Sequence, residues 1–321
     1  MFVSIIIPTY NRSNSLSITL ESLLNQTYPK EMYEILVVDN KSTDNTAEII
    51  KEWEIKSEGL IKYYAEIRQG SHYARNGVVK HAKGDLLYFT DDDMITEPKM
   101  LAEIVKVFTN HPEIGSATGR VLPYWKKEPP LWLKKYFVNG WLSLYDRDDD
   151  VFISKDDFGV FSCHQAVLKD AFIRAGGYNP DIIDGEWLGD NETGLNIKLQ
   201  NLGFEFGFVK SAVTYHIIPE SRITQQYFNK RFGNQGNCDS YTDYRKYRYN
   251  RSELKHNILK YKKQFLHKFA KFVLQFILRN DKWHINRAWV NYYQHRIVYE
   301  KRLLNDNEWK KMVLIDDWIN I

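Results

Sequence analysis

The chain has 321 residues, of which 43% are hydrophobic and 26% charged, and its formal net charge is +3. These values are typical of a soluble globular protein that buries a large core. So small a net charge argues against a nucleic-acid partner for the whole molecule. The two cysteines, Cys163 and Cys238, are far apart. They indicate neither a disulfide framework nor a zinc knuckle, and they favour a reducing compartment.

The chain opens on the apolar run Phe2–Pro8, which has neither a basic leader nor a small-residue cleavage site. We interpret this run as a core strand rather than a targeting signal. A spanning helix is not expected, because even the apolar stretch 265–278 carries Lys268 and Lys271. The sequence predicts a cytoplasmic protein, or one that lies peripherally at the inner face of the cell membrane.

The first part of the chain alternates short apolar runs with helical patterns, which indicates βαβ units and a mainly parallel sheet. We predict strands at residues 2–7, 34–38, 60–64 and 85–90. Between them we predict crossover helices at residues 15–25, 43–56 and 71–82. Ser42 or Thr43 is the expected cap of the second helix.

From residue 123 to 157 the pattern breaks into a stretch rich in Trp, Pro and charge, typical of a substrate loop more than of core. Beyond it we predict a strand through Val160, helices near 167–174 and 192–201, and strands at 204–209 and 212–216. Gly176 and Gly177 predict a turn with positive φ. After Pro219 long helical patterns rich in Tyr, Lys, Arg, Gln and Asn begin, and we place a boundary there.

Three carboxylates, Asp91, Asp92 and Asp93, follow the apolar run 86–89 at the expected C-terminal end of a buried strand. Carboxylates so crowded are unfavourable without a cation. Hard divalent ions such as Mg²⁺ and Mn²⁺ take oxygen ligands and bridge to substrate phosphates. A metal site is therefore one interpretation of the cluster, and a solvated turn that ends the strand is the other.

Asp39 ends the second predicted strand and precedes a polar turn. A carboxylate in this place can accept a hydrogen bond from a nucleotide base or ribose, although turn chemistry alone also explains it. The first strand leads into Pro8-Thr9-Tyr10-Asn11-Arg12 and not into Gly-x-Gly-x-x-Gly. A dinucleotide-binding fold is therefore not expected.

Together these segments resemble the inverting family 2 glycosyltransferases, which have the GT-A fold, and among them the bacterial, non-processive type. The matching segments are 4–12, 37–44, Gly70 with 74–76, 82–85 and 91–93. The resemblance implies an α/β fold of the GT-A type over residues 1–219. Its nucleotide-sugar-binding half would be 1–122 and its acceptor half 123–219, with a helical region at 220–321.

The resemblance also implies a nucleotide-sugar donor, with UDP as the expected nucleotide. The residues implied to bind it are Pro8, Thr9, Tyr10, Asn11, Arg12, Asp39, Gly70, Arg75, Asp91 and Asp92. A divalent metal ion, Mn²⁺ or Mg²⁺, would lie on Asp93, Asp91 and His216, with Asp93 as direct ligand. Arg75 suits the diphosphate or the sugar, because a guanidinium offers several fixed donors. A surface Arg and a structural His are the respective alternatives for Arg75 and His216.

Glu192 is the candidate general base. Relatives carry an acidic pair six residues ahead of an Arg, and counting back from Lys198 leads to Glu192, with Asn191 in place of the first acid. Asp190 is the second candidate. The alternative is an acid that only complements the dipole at a helix N-terminus. Trp187 is suited to stacking on a sugar, or to a core or lid position.

Between Arg222 and Arg302 there are 19 Lys and Arg residues against 5 Asp and Glu, a pattern suited to anionic surfaces. Residues 258–279 predict an amphipathic basic helix. The region 255–302 could contact a membrane surface through it, or the helix could pack on the core or on a second subunit, which leaves an oligomer open. Residues 225–232 depart from the Gln-x-x-Arg-Trp motif of processive synthases in this family, so addition of one sugar or a short series is expected.

The expected activity is transfer of a sugar to a hydroxyl of a saccharide or lipid-linked acceptor, with inversion, in cell-surface polysaccharide or glycolipid synthesis. A sugar nucleotidyltransferase is the nearest rival, but its first strand normally leads into a Gly-rich, Arg-containing loop that Pro8–Arg12 does not match. A non-catalytic binder of nucleotide sugars or nucleic acid is the other. A binder would release no nucleoside diphosphate, and nucleic-acid binding would depend steeply on salt.

Overall fold

The computed structural model describes residues 1–183 and 186–320. Its first part alternates strands and helices as predicted. The strands are β1 (Val3–Thr9), β2 (Tyr33–Asp39), β3 (Ile61–Ala65) and β4 (Leu86–Thr90). The helices between them are α1 (Leu16–Leu24), α2 (Thr46–Lys56) and α3 (Ser71–Val78). All seven predicted elements are thus confirmed.

The predicted cap of α2 is wrong. The helix is preceded by Asn45, whose side chain makes no capping hydrogen bond. Ser42 and Thr43 serve the preceding turn instead: Ser42 Oγ accepts from the backbone N of Asn11 at 2.9 Å, and the backbone N of Thr43 donates to Asn11 Oδ1 at 2.8 Å. These bonds join the turn after β2 to the turn after β1 and hold the two strand ends side by side.

The middle of the chain is more regular than predicted. Its strands are β5 (Met94–Thr96), β6 (Ile114–Trp125), β7 (Val151–Ser154), β8 (His164–Leu168), β9 (Ile182–Ile183), β10 (Glu186–Trp187) and β11 (Glu205–Ile218). Its helices are α4 (Met100–Asn110), α5 (Leu131–Tyr136), α6 (Lys169–Arg174) and α7 (Asn191–Asn201). The strand predicted through Val160 is wrong, since the strand begins at His164. The two strands predicted at 204–209 and 212–216 are one, with an irregularity between Val209 and Val213.

Residues 123–157 are not mainly a substrate loop, and that prediction is corrected. Leu133, Phe137 and Leu142 are buried at 0–1% exposure and share a core with Phe228 and Phe232. Their apolar partners lie far along the chain, so the local composition of this stretch does not reveal that it forms core.

Among the described residues, nine strands form one sheet in the order β3-β2-β1-β4-β8-β6-β11-β5, with β7 paired to β11. Within the group β1 to β4, all neighbouring strands pair in parallel, as predicted. Strand β8 is antiparallel to β4 and β6, and β5 and β7 are antiparallel to β11. The sheet is therefore mixed. Successive residues of β1, such as Ile5 and Ile6, point to opposite faces of the sheet and belong to separate cores. Helices therefore cover both sides of the sheet.

The residues after 219 fold onto this sheet as a helical layer. They form α8 (Gln225–Tyr247), α9 (Arg251–Ile277), α10 (Trp283–Asn305) and α11 (Asn307–Val313). Near the C-terminus, Trp318 is 3% exposed, its backbone N donates to Gly176 O at 2.9 Å, and its backbone O accepts from Asn76 Nδ2 at 3.2 Å. None of the helices in the described ranges has the length and apolar character needed to cross a bilayer.

Gly176 and Gly177 form the predicted turn, both with φ +71°. A side chain on Gly177 would meet Asn76 Oδ1 at 2.7 Å, and the same Oδ1 accepts from the backbone N of Tyr178 at 2.9 Å. The turn therefore needs glycine both for its backbone conformation and for the close approach of Asn76.

Candidate active site

A cleft of about 720 Å³ opens at the C-terminal ends of β1 and β4. Its lining comes from the turn after β1, the three aspartates after β4, the starts of α3 and α7, the end of β11, and α8 with the turn before it. Parallel strands that end side by side leave such a crevice, where open α/β sheets bind ligands. Residues far apart in sequence thus meet at one edge of the sheet.

Asp92 and Asp93 are buried at the base of this cleft, with 7% and 5% exposure. Thr9 Oγ1 donates to Asp92 Oδ2 at 2.7 Å, and Arg12 Nε lies 3.2 Å from Asp92 Oδ1. Both carboxylates are held by the β1 turn and do not project into bulk solvent. The solvated-turn interpretation of the three aspartates is therefore rejected for these two residues.

Asp92 and Asp93 differ in how their surroundings affect ionisation. Burial raises the pKa of Asp92 to about 7, the charge of Asp93 adds to the rise, and Arg12 opposes it. Burial alone would raise the pKa of Asp93 too, but His216, Arg222 and Arg12 outweigh it and hold that pKa below its usual range. Two adjacent carboxylates rarely both ionise without further positive charge. A cation here would allow Asp92 to ionise as well.

His216 is oriented by its second nitrogen. Its Nδ1 lies 2.8 Å from the carbonyl oxygen of Leu142, which can only accept, so Nδ1 carries the proton. Its Nε2 lies 2.6 Å from Arg222 Nη1 and 3.6 Å from Asp93 Oδ1. A hydrogen bond of this kind from a ring nitrogen to a carbonyl is what orients metal-binding histidines.

The pair formed by Asp93 and His216 fits a divalent cation. A carboxylate suits Mg²⁺ and Mn²⁺, and an imidazole nitrogen favours the transition metal. Arg222 bonds to both residues, with Nη2 2.9 Å from Asp93 Oδ2, so the pair already attracts positive charge. Asp91 is directed elsewhere and accepts from Arg75 Nη2 at 2.6 Å. In the part of the chain that the structure describes, no three His, Cys, Asp or Glu side chains converge as one ligand set. Two of the three predicted metal ligands are thus brought together.

Arg75 is 3% exposed, so it is not a surface arginine. Besides Asp91, it donates from Nη1 to Ser71 Oγ at 2.7 Å. Ser71 Oγ in turn donates to Asp181 Oδ2 at 2.7 Å, and His72 Nδ1 lies 2.9 Å from Asp181 Oδ1. A hydrogen-bonded chain therefore fixes Arg75 at the cleft. Asp181 and His72 were not predicted from the sequence, because no local pattern joins them.

Asp181→Asn is expected to loosen this chain. Burial raises the pKa of Asp181, but His72, Ser71 and Arg75 outweigh it and bring the pKa from 3.8 to about 2. The resulting stabilisation, about 2 kcal/mol, is present above the ordinary pKa and lost as the pH falls through about 2. Urea denaturation at pH 7 should show a loss of this order. The surface variant Asp148→Asn serves as control, and equal midpoints for the two variants would contradict the assignment.

Glu192 lies in the first turn of α7 and lines the cleft. Ser162 Oγ donates to its Oε2 at 3.4 Å. Burial raises the pKa of Glu192, Arg231 and Arg75 oppose the rise, and Asp91 adds to it. A carboxylate with a raised pKa is a stronger base, as general-base catalysis requires.

The structure does not bring Asp190, the second candidate base, into the cleft. Its two oxygens accept from Asn179 Nδ2 at 2.9 Å and from Thr242 Oγ1 at 2.7 Å. Asp190 therefore ties α8 to the start of α7. Lys198 is also structural, since its Nζ donates to Gly177 O at 2.7 Å and to Asn179 Oδ1 at 3.0 Å.

Most of the predicted donor-binding residues line the cleft: Pro8, Thr9, Tyr10, Arg12, Gly70, Arg75, Asp91 and Asp92. Asn11 and Asp39 are not among the lining residues. Asn11 joins the two turns described above. Asp39 lies opposite Thr9 in the β1–β2 register, and its Oδ1 accepts from the backbone N of Ser42 at 2.9 Å. The structure therefore places Asp39 beside the cleft, where it shapes the turn after β2.

Gly70 allows the start of α3 to approach β9 closely. Its φ is +148°, and a side chain there would meet the carbonyl oxygen of Ile182 at 2.6 Å. Its backbone N donates to Asn40 Oδ1 at 2.8 Å. Any other residue would therefore widen this wall of the cleft.

Helix α8 and the turn before it contribute cations that the sequence did not reveal. Arg222, Lys230 and Arg231 line the cleft together with Tyr227 and Asn234. The four helical residues follow an i, i+3, i+4, i+7 spacing, which places them on one face. This spacing is a signal that could have been found in the sequence. With Arg12 and Arg75, five cationic side chains of the described ranges face the cleft, which suits a diphosphate.

Comparison with known proteins gives the family of the chain. The family model described as Glycosyl transferase family 2 matches residues 4–176, which is more than half of the chain. The chain belongs to glycosyl transferase family 2. This membership agrees with the resemblance seen in the sequence and argues against the sugar nucleotidyltransferase alternative. The matched range includes Arg75 and the three aspartates after β4, whereas Glu192 and His216 lie beyond it.

Two curated relatives are similar over part of the chain. The glycosyltransferase AglE of Haloferax volcanii is 31% identical over 51% of this chain and 57% of its own. The poly(ribitol-phosphate) beta-glucosyltransferase of Bacillus spizizenii is 43% identical over 29% of this chain and 15% of its own. The chain therefore spans little more than half of the first relative and less of the second.

Among solved structures, the mannosyltransferase PcManGT of Pyrobaculum calidifontis, in complex with GDP-Man and Mn²⁺, has 18% sequence identity and a TM-score of 0.60. The match covers 93% of this chain and 87% of that one. At this identity the likeness shows the fold alone. It confirms the predicted α/β architecture of the GT-A type.

Proposed function

We propose that this family 2 glycosyltransferase transfers a sugar from a UDP-sugar to a hydroxyl of a saccharide or lipid-linked acceptor, with a divalent metal ion and with inversion. The proposal rests on one observation above all: Asp92 and Asp93 are buried in a nucleotide-sized cleft, where Asp93 Oδ1 lies 3.6 Å from His216 Nε2 and Glu192 is on the wall. Cations and a candidate base meet there, as departure of a diphosphate requires.

Asp93 and His216 are the proposed metal ligands, and their mixed oxygen and nitrogen donors favour Mn²⁺ over Mg²⁺. When bound, the ion neutralises negative charge on the leaving diphosphate. Support comes from the orientation of His216 by the Leu142 carbonyl and from the burial of Asp92 and Asp93. PcManGT, which was solved with Mn²⁺, agrees with this proposal. Asp91 is proposed to bind the ribose and, as a further oxygen donor, the ion.

The donor is proposed to lie along the lining residues. Pro8, Thr9 and Tyr10 would contact the base and ribose near Asp39. Arg12, Arg75, Arg222, Lys230 and Arg231 offer donors for the diphosphate, because guanidinium groups bind phosphate oxygens through paired hydrogen bonds. Trp187 lines the cleft beside Glu192, and we assign its indole to contact with the sugar.

Glu192 is proposed to accept the acceptor proton. The acceptor oxygen forms a bond to the anomeric carbon while the bond from that carbon to the diphosphate oxygen breaks, and the proton passes to the Glu192 carboxylate. The nucleoside diphosphate leaves with the electron pair of the broken bond. Because this is one displacement, the anomeric centre inverts, and an α-linked donor gives a β-linked product.

The setting is proposed to be cell-surface polysaccharide or glycolipid synthesis at the inner face of the cell membrane. The Bacillus spizizenii relative is named for glucosyl transfer to poly(ribitol-phosphate), which agrees with a polymer acceptor. We propose UDP as the nucleotide because of the motif resemblance. Activity with a GDP-sugar alone would show that the nucleotide is GDP instead.

A panel of nucleotide sugars tests this function. The purified chain is incubated with UDP-glucose, UDP-galactose, UDP-N-acetylglucosamine or GDP-mannose, in Mn²⁺, Mg²⁺ or EDTA, and nucleoside diphosphate release is measured. UDP release from at least one donor, strongest in Mn²⁺ and lost in EDTA, is expected. Equal release in EDTA would contradict metal dependence, and release of GDP only would replace UDP as the nucleotide.

A further inference from the structure

The distal half of α9 presents apolar side chains to solvent. We call these residues the α9 tip, and they are Leu266, Phe269, Val273, Leu274, Phe276, Ile277 and Leu278. Their exposed fractions run from 38% to 71%. A helix in water normally turns polar side chains outward, and a contiguous exposed apolar patch marks a binding surface.

The tip is held in a defined shape by its inner side. Phe272 and Phe276 contact Trp283 at the start of α10, with ring centroids 6.3 and 5.5 Å apart. Asn286 Nδ2 donates to Gln275 Oε1 at 2.6 Å. The inner face of α9 thus packs on α10. This contact covers only part of the apolar residues of α9. The outer face of the tip remains exposed, so the sequence alternative of a helix packed on the core is wrong for that face.

The charge around the tip has one sign. Between Leu254 and Asn280 the chain carries seven basic residues and no acidic one; the basic residues are Lys255, Lys260, Lys262, Lys263, Lys268, Lys271 and Arg279. The next acid, Asp281, is already bound by Lys135 Nζ and Tyr136 Oη, each at 2.9 Å. The apolar patch therefore lies in an excess of positive charge that α9 itself does not balance.

The apolar patch and the positive charge around it together distinguish between two partners that could cover the tip, a second copy of the chain and a lipid surface. A second copy of the chain could cover the apolar side chains, but it would bring seven more positive charges to the same place, and like charges in an interface are unfavourable. A lipid surface with anionic headgroups matches both features, because acyl chains take the apolar residues and phosphates take the lysines. We propose that the α9 tip binds the surface of a membrane that contains anionic lipids, with α9 lying in the interface.

Helix α10 connects this surface to the cleft. Arg296 Nη2 on α10 donates to Asp243 Oδ2 on α8 at 2.5 Å, and Gly236 of α8 leaves no room for a side chain against Tyr292. The same α8 supplies Arg231 to the cleft. A docked tip would hold the cleft at a fixed distance from the membrane, near a lipid-linked acceptor. This consequence rests on the proposed function, whereas lipid binding itself does not.

Flotation with vesicles tests the proposal on the full chain. Vesicles of phosphatidylcholine alone are compared with vesicles that also contain phosphatidylglycerol. The wild-type chain should float with the anionic vesicles and bind them at least about tenfold less without phosphatidylglycerol or in high salt. The triple variant Leu266→Gln, Phe269→Gln, Ile277→Gln should lose binding by about tenfold or more, because apolar burial is removed.

The matched control places three glutamines at other exposed apolar positions, Ile55, Leu131 and Val298, which are 81%, 84% and 61% exposed. This control should float like the wild type, and both triple variants should keep the wild-type circular dichroism. A second variant, Lys262→Gln with Lys263→Gln and Lys271→Gln, should bind anionic vesicles more weakly.

The proposal is overturned if wild type fails to float, or if the tip variant floats as well as the control. If light scattering showed that the wild type and the control are dimers and that the tip variant is a monomer, the tip would be a contact between two copies of the chain, and the proposal would also be overturned. Nucleoside diphosphate release is measured on the same samples with a soluble acceptor or water. Failure of lipid binding and failure of sugar transfer are thus read separately.

Discussion

Asp93→Asn is expected to lower sugar transfer by about three orders of magnitude, because it removes the charged oxygen ligand of the proposed metal site. The amide keeps the size of the carboxylate but not its charge. It also weakens the bond to Arg222 Nη2, which is 2.9 Å long in the native chain. Initial rates of nucleoside diphosphate release in saturating Mn²⁺ give the comparison.

Asp85→Asn is the matched control, since Asp85 stands just before the other end of the same strand, β4, and is exposed. This variant should retain the native rate. Thermal melts of both variants show whether Asp93→Asn still folds. A folded Asp93→Asn enzyme with rates close to wild type would remove Asp93 from the proposed mechanism.

Glu192→Gln is expected to lower kcat by about 10² to 10⁴-fold, the range of general-base catalysis. The donor KM should change little, because the proposed role of Glu192 concerns the acceptor proton. The amide cannot accept a proton from the acceptor hydroxyl. Steady-state kinetics with the donor identified by the panel separate the two constants.

The pH dependence of kcat tests the assignment of Glu192 as the general base. Its pKa is raised by burial above the ordinary 4.5, and the base acts when deprotonated. The native kcat should therefore fall as the pH drops through that raised pKa, and Glu192→Gln should lack this limb. Because the buried charge opposes folding at neutral pH, Glu192→Gln should not be less stable than wild type there.

Asp190→Asn distinguishes the two candidate bases. Asp190 holds Asn179 and Thr242, so its loss should lower the melting temperature and leave the pH limb of kcat in place. If Asp190→Asn removed the limb and Glu192→Gln kept it, the roles assigned to these residues would be reversed.

The predictable part of the fold is the part with local signals. The apolar runs of β1 to β4 and the helical periods between them are readable from neighbouring residues. The position of Asp91, Asp92 and Asp93 follows from the strand before them, because the end of a strand fixes where the next residues lie. The antiparallel strands β5 and β7 were missed, and β8 was predicted too early in the chain, through Val160, because these strands are short and pair with distant partners.

The unpredicted parts of the site depend on distant contacts. Asp181 meets His72 across more than 100 residues, and Arg222 meets Asp93 across 129, so no window of sequence joins them. Asp190 shows the opposite error: its position close to Glu192 suggested a shared role, but Asp190 precedes α7 and Glu192 lies in its first turn, so the two carboxylates meet different neighbours.

Binding of Mn²⁺ to the native chain tests the proposed metal site most directly. Free Mn²⁺ is titrated against the protein in the presence of UDP and followed by electron paramagnetic resonance, with Asp93→Asn and His216→Gln beside the wild type. We expect one ion per native chain and a large loss of affinity in each variant. Binding that both variants retain, or no binding by the native chain, would contradict a metal site on Asp93 and His216.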